Sequence, residues 1–174
     1  MINFETIDYL KNGNSKQQKA FRILTQNKVI EQLMLFAPIL VGTIPIEIDI
    51  ESSDLDIICQ WTDKQAFTDF LLAHFGHFVG FKQWSREVHH QDAVIASFVI
   101  EDFEIEIFGQ SLATKDQFAY RHMMIEYQLL IKYGEAFRAE IIALKKAGLK
   151  TEPAFAKLLG LEGDPYLELL KVKA

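Results

Sequence analysis

An α/β fold is what the sequence predicts: a small, mixed, twisted sheet of four or five strands flanked by helices, with a helical C-terminal segment covering it. Three observations carry this. Apolar and acidic residues alternate with period two in the middle of the chain, as in "IPIEIDIE" and "FEIEIFG". The stretches before and after that region repeat their apolar residues at helical spacing. With 174 residues, 49% of them hydrophobic and 14 of them Phe, the chain can bury one respectable core but not a second full domain. The expected organisation is a sheet-bearing core over residues 1–110 and a helical segment over 111–174, packed on it as one compact unit.

The elements follow in order. From about Asn14 to Phe36, Ala20, Ile23, Val29, Ile30 and Leu33 recur at helical spacing, and Pro38 ends the helix. "PILVG" reads as a short buried strand stopped by Gly42. "IPIEIDIE" reads as an extended segment, with Ile44, Ile46, Ile48 and Ile50 on one face and Glu47, Asp49 and Glu51 on the other, wet one. Ser52-Ser53 makes a turn, and "DLDIICQW" resumes as a strand with Leu55, Ile57 and Cys59 inward and Asp54 and Asp56 together on the opposite side. Thr62 and Asp63 start a helix that Gly76 closes. "HFVGFKQW", "AVIASFVI" and "FEIEIFG" are strands, the last two joined as a hairpin by Glu101-Asp102. After Gln110 the chain turns helical, with clear starts at Thr151 and at Asp164-Pro165.

Charge excludes some classes. The net charge is −6, and residues 1–110 hold 16 acids against 8 bases. A general nucleic-acid binder needs a basic stripe, because phosphate neutralisation supplies most of its affinity. No apolar run approaches the roughly 18 residues that would suggest a membrane span. The opening segment has neither a basic nor an apolar signal region. The single cysteine, Cys59, cannot form an internal disulfide. A cytoplasmic protein is expected.

Chemistry concentrates at Val41–Gln60. No basic residue occurs between Lys28 and Lys64, yet Glu47, Asp49, Glu51, Asp54 and Asp56 all fall there. Carboxylates at i and i+2 on a strand point the same way, with Cα atoms about 6.5–7 Å apart. That pair suits a hard divalent cation, which takes oxygen ligands and retains water and substrate phosphates. A third carboxylate from a neighbouring strand is on offer at Glu104 or Glu106, which share a face. Gly42 lets the backbone approach a phosphate closely, with the Thr43 hydroxyl and amide placed to donate to it. Glu47, Asp49 and Glu51 read as a solvated rim. His74 and His77, and the pair His89-His90, lack the cysteine partners or HExxH pattern of a zinc site. His122 reads as part of a structural hydrogen-bond network.

Gly42-Thr43, the twelve-residue step from Gly42 to Asp54, the Asp54-Leu55-Asp56 pair and a later strand carboxylate resemble the signature of the DNA polymerase β-type nucleotidyltransferases. "GTIPIEIDIESSDLDII", "EIFGQ", "QFAYRHMMIE" and "TEPAFAKLLGLEGDPYLELL" together resemble a narrower family, domain-of-unknown-function family 4269, over most of residues 40–172. The resemblance implies a nucleotidyltransferase-like core binding Mg²⁺ or Mn²⁺ through Asp54, Asp56 and Glu106, with Glu104 as the alternative third ligand. It implies transfer of a nucleoside monophosphate from an NTP to an unknown acceptor. Gly42, Thr43, Ser53, Lys82 and Arg121 are the nucleotide-binding candidates.

One departure stands out. The loop after Gly42 lacks the Arg or Lys that many members of the superfamily aim at phosphate, so Lys82, Arg86 or Arg121 must supply that charge, or the site does not turn over NTPs. The alternatives are a catalytically inactive nucleotide- or metal-binding regulatory domain, and an acidic protein-interaction module with a protein partner.

Overall fold

A computed structural model describes residues 2–88 and 90–173. The chain divides into two units: residues up to Val41 together with Asp54–Gln117, and Gly42–Ser53 together with the residues from Phe118 onward.

The first unit is built on a five-stranded mixed sheet in the order β1-β2-β5-β4-β3. Its strands are β1 (Ile39–Val41), β2 (Leu55–Gln60), β3 (Val79–Val88), β4 (Gln91–Ile100) and β5 (Phe103–Gln110). β2 and β5 run parallel, while the other neighbours are antiparallel. Parallel pairing demands a long connection. Here it comprises α3 (Lys64–Phe75) and the β3–β4 hairpin.

Asp63 caps α3, its side chain accepting from the Ala66 amide at 3.0 Å. One face of α3 seals one face of the sheet. Phe75 stacks on Phe98 of β4 with ring centroids 5.3 Å apart, and the Phe67 ring lies against Gly109 of β5 where a Cβ would stand. Leu55, Ile57, Cys59, Ile105 and Ile107 are fully buried on that same sheet face. Cys59 is the core residue its place opposite the aspartates suggests, and burial raises its thiol pKa. The β4–β5 turn does without glycine because Glu101 itself takes φ 54°, and Arg22 donates two hydrogen bonds to its carboxylate, both at 2.8 Å.

The N-terminal helical pattern is not one helix. α1 spans Ser15–Gln26, closed into a capping box by Asn14 and Gln17, and α2 spans Val29–Leu33 before a 3-10 turn at Met34–Phe36. Lys28, at φ 55°, breaks the run, so the apolar spacing continues across a turn that periodicity cannot see.

The second unit contains α4 (Phe118–Lys146), α5 (Thr151–Leu159) and α6 (Pro165–Leu169). Gly134, at φ 75° and ψ −166°, breaks α4. Asp164 caps α6 by accepting from the Tyr166 amide at 2.9 Å.

This unit also corrects the strand expected at "IPIEIDIE". Ile44–Glu47 form a turn, Glu47 takes φ 61°, and Ile48–Ile50 follow without strand pairing. Ile44, Ile46 and Ile48 are all buried, as alternation suggests. Three of the segment's backbone carbonyls, however, are taken by cations rather than by a ladder. Arg138 of α4 donates to the carbonyls of Ile46 (2.5 Å) and Glu47 (3.2 Å), and Lys145 donates to that of Ile48 (2.7 Å). Period two therefore marks burial here without marking a strand.

Candidate functional site

The parallel register of β2 and β5 sets Asp56 opposite Glu106. Directly paired residues point to the same side of a sheet, and neighbouring strands lie about 4.8 Å apart. Asp54, just ahead of β2, has the same parity as Asp56 and is exposed. Glu104 is exposed one pair further along β5, opposite Val99. Glu106, rather than Glu104, is thus the β5 carboxylate beside Asp56.

Glu106 is half-buried, and its carboxyl pKa is raised. Burial is the largest cause; the charges of Asp54 and Glu104 add to it, and the Arg86 guanidinium opposes it. Among the described residues, no three His, Cys, Asp or Glu side chains are gathered closely enough to hold a metal ion as they stand. In donor chemistry, Asp54, Asp56 and Glu106 suit a hard cation such as Mg²⁺ or Mn²⁺ and not zinc, which favours nitrogen and sulfur in structural sites.

In the second unit, Gly42 takes φ 84°, a conformation costly for a residue with a Cβ, and it directly follows β1 in the chain. Thr43 and Ser53 close the loop that Gly42 opens. The Thr43 hydroxyl donates to Ser53 Oγ at 3.1 Å, and the Ile50 amide donates to the same oxygen at 2.9 Å. With both acceptor positions used, the Ser53 hydroxyl proton is the group left to donate. Arg121 is exposed on α4, its guanidinium 5.7 Å from the Phe118 ring centroid.

Lys82 belongs to the carboxylate face. The register runs Asp56–Glu106 across β2 and β5, Glu106–Ser97 into β4, and Ser97–Lys82 into β3, one lateral row of four polar side chains. Ser97 was not singled out from the sequence: it sits inside "AVIASFVI", where a lone serine in an apolar strand carries little signal. The cations holding the 42–53 loop, Arg138 and Lys145, were missed for the same kind of reason. They lie about 90 residues away in the chain and read as ordinary helix surface.

The histidines fall elsewhere. His74 donates from Nδ1 to the Phe70 carbonyl at 2.9 Å and stacks on that ring. His90 is exposed at the β3–β4 turn, and His89 lies outside the described residues. His122 is buried and donates from Nε2 to the Tyr166 carbonyl at 2.7 Å, with Glu152 Oε1 3.6 Å from Nδ1. One turn on, Glu126 is buried with Oε1 unsatisfied. Its pKa is pushed up to about 8, first by burial and then by Glu152, against the opposing charge of Lys145.

The fold is that of the nucleotidyltransferases. The chain is similar to a solved GLD-2/RNP-8 complex (TM-score 0.56, 14% identity, covering 90% of this chain and 63% of that one). It is also similar to the Cid1 poly(U) polymerase with MgGTP bound (TM-score 0.54, 9% identity, 80% and 46%) and to a variant of that enzyme with MgATP (0.53, 11%, 94% and 53%). The chain thus spans about half to two thirds of the length of these proteins. It belongs to the family Domain of unknown function (DUF4269), whose model matches residues 22–172. No curated protein sequence matches it.

Proposed function

We propose that this protein is a divalent-metal-dependent nucleotidyltransferase that moves a nucleoside monophosphate from an NTP to an acceptor hydroxyl. The observation that carries the reading is the pairing of Asp56 with Glu106 across two parallel strands, with Asp54 alongside, in a fold shared with nucleotidyltransferases. Asp54, Asp56 and Glu106 are the residues to hold Mg²⁺ or Mn²⁺, with Glu104 as the alternative to Glu106. When bound, the metal would offset the charge of the phosphates and of the developing oxyanion.

The chain's own residues supply the rest. Gly42 admits the triphosphate to the backbone, the Thr43 amide and the Ser53 hydroxyl donate to it, and Arg121 is the cation in reserve. Glu106 accepts the acceptor hydroxyl proton. The acceptor oxygen bonds the α-phosphorus, the bond between the α- and β-phosphates breaks, and pyrophosphate leaves.

The test is thermal stability with ATP, GTP, CTP and UTP, each with and without Mg²⁺ or Mn²⁺, together with pyrophosphate release. A ligand that binds only the native state raises the midpoint by mass action. A metal-dependent rise for at least one NTP is expected, lost in Asp54→Asn and in Asp56→Asn. Glu106→Gln is expected to slow pyrophosphate release by a factor on the order of 10²–10⁴. Full activity in Asp54→Asn would sink the assignment.

A second reading is a regulatory domain that binds nucleotide without transfer. It is favoured by the lack of any Lys or Arg within Gly42–Ser53. It expects the same thermal shift with no pyrophosphate release.

A further inference from the structure

β3 is the edge strand of the sheet, and most of its ten residues are exposed. Along it, Lys82, Trp84 and Arg86 have one parity, and Lys82 shares the lateral row of Glu106 and Asp56. The three side chains therefore stand on the carboxylate face, spaced about 6.5–7 Å apart. Lys19, Arg22 and Lys64 are each paired with a carboxylate, whereas neither Lys82 nor Arg86 forms a salt bridge among the described residues. Trp84 is 38% exposed although its register partner Ile95 is fully buried, and Ile95 in turn pairs with Phe108. A large aromatic surface is thus held out at the end of an apolar row, between two unpaired cations.

We propose that the Lys82–Trp84–Arg86 stripe seats the single-stranded end of a nucleic-acid acceptor, with a base stacked on Trp84 and backbone phosphates against Lys82 and Arg86. This rests on the nucleotidyltransferase reading and names its acceptor class. Aromatic stacking between cations suits an unstacked base and is largely indifferent to its identity. Two cations on a chain of net charge −6 cannot hold a duplex by phosphate neutralisation, so recognition is confined to the strand end. The stripe also orients that end. From Arg86 to Lys82 it leads along β3 to the row in which Glu106 stands, where the terminal hydroxyl would lose its proton.

The experiment is fluorescence anisotropy of the full chain with end-labelled ten-nucleotide RNA, the same DNA sequence and the RNA duplex, at several salt concentrations, on wild type, Trp84→Ala and Arg86→Glu. Expected is binding of the single strands with a slope of log affinity against log salt of about −1.4, two phosphates at about 0.7 each. The duplex should bind at least tenfold more weakly, and each substitution should weaken strand binding about tenfold or more. The metal-dependent NTP shift should be unchanged in Trp84→Ala, and a cooperative thermal transition in each variant shows that both fold.

Equal binding by wild type and both variants, duplex bound as tightly as single strand, or no strand bound while the NTP shift persists would each overturn the stripe as an acceptor seat. Such a failure leaves the transferase reading standing. Loss of the NTP shift in wild type, with strand binding still sensitive to Trp84→Ala, would instead overturn the transferase reading and keep the stripe.

Discussion

Two buried or half-buried carboxylates behave differently because their surroundings do. Glu106 faces other acids on a sheet face, and a cation there would relieve its raised pKa. Glu126 lies inside the helical unit, and its pKa of about 8 means that it is mostly the neutral acid at pH 7. Its effect on stability has a definite sign. The folded state binds the proton more tightly than the unfolded chain, whose carboxyl titrates near 4.5, so stability is highest at low pH and falls as pH rises from about 4.5 to about 8. Glu126→Gln removes that loss. Its midpoint should exceed that of wild type by several degrees at pH 9 and differ little at pH 5, as differential scanning calorimetry across pH would show. Equal pH slopes in the two proteins would mean that Glu126 is not the titrating group.

At the scale of elements, the segment from Gly42 to Ser53 shows how a non-repetitive loop is held. It has no ladder; the carbonyls of Ile46, Glu47 and Ile48 are taken by Arg138 and Lys145, and its ends meet through Thr43 and Ser53. Arg138→Ala leaves two carbonyls without their donor at a cost of about 1–3 kcal/mol. Chemical denaturation should register that loss. A Glu-specific protease should also cut faster at Glu47 and Glu51, both exposed, with cleavage elsewhere unchanged. Unchanged cleavage would show that the three buried isoleucines hold the loop without the cations. Because Thr43 and Ser53 belong to the same loop, the variant should also weaken NTP binding under the proposed function.

Across the whole chain, the 16 acids against 8 bases in residues 1–110 create self-repulsion that any salt screens. NaCl should therefore raise the thermal midpoint modestly. Mg²⁺ at matched ionic strength should raise it further, and that excess should vanish in the Asp54→Asn/Asp56→Asn double variant while the NaCl effect remains. Equal effects of the two salts on wild type would mean diffuse screening and no bound ion. Among the described residues, no helix is long and apolar enough to cross a membrane.

What the sequence by itself determined was local. Alternation placed Glu104 and Glu106 on one face of a strand, because a half-exposed strand writes its two faces directly into period two. The caps at Asp63 and Asp164 were legible because a side-chain acceptor next to a helix start is a short-range fact. Alternation failed at Ile44–Ile50, where the same pattern is a turn with buried isoleucines, since distant cations take the carbonyls that local turn bonds leave open off a sheet. The tertiary structure alone decided the pairing of β2 with β5. Glu104 and Glu106 have the same parity, and nothing in the sequence separates them. The parallel register brings Glu106 opposite Asp56 and carries the row on through Ser97 to Lys82. Side-chain parity is a property of one strand, whereas register is a property of two, fixed only when both bury their apolar faces together.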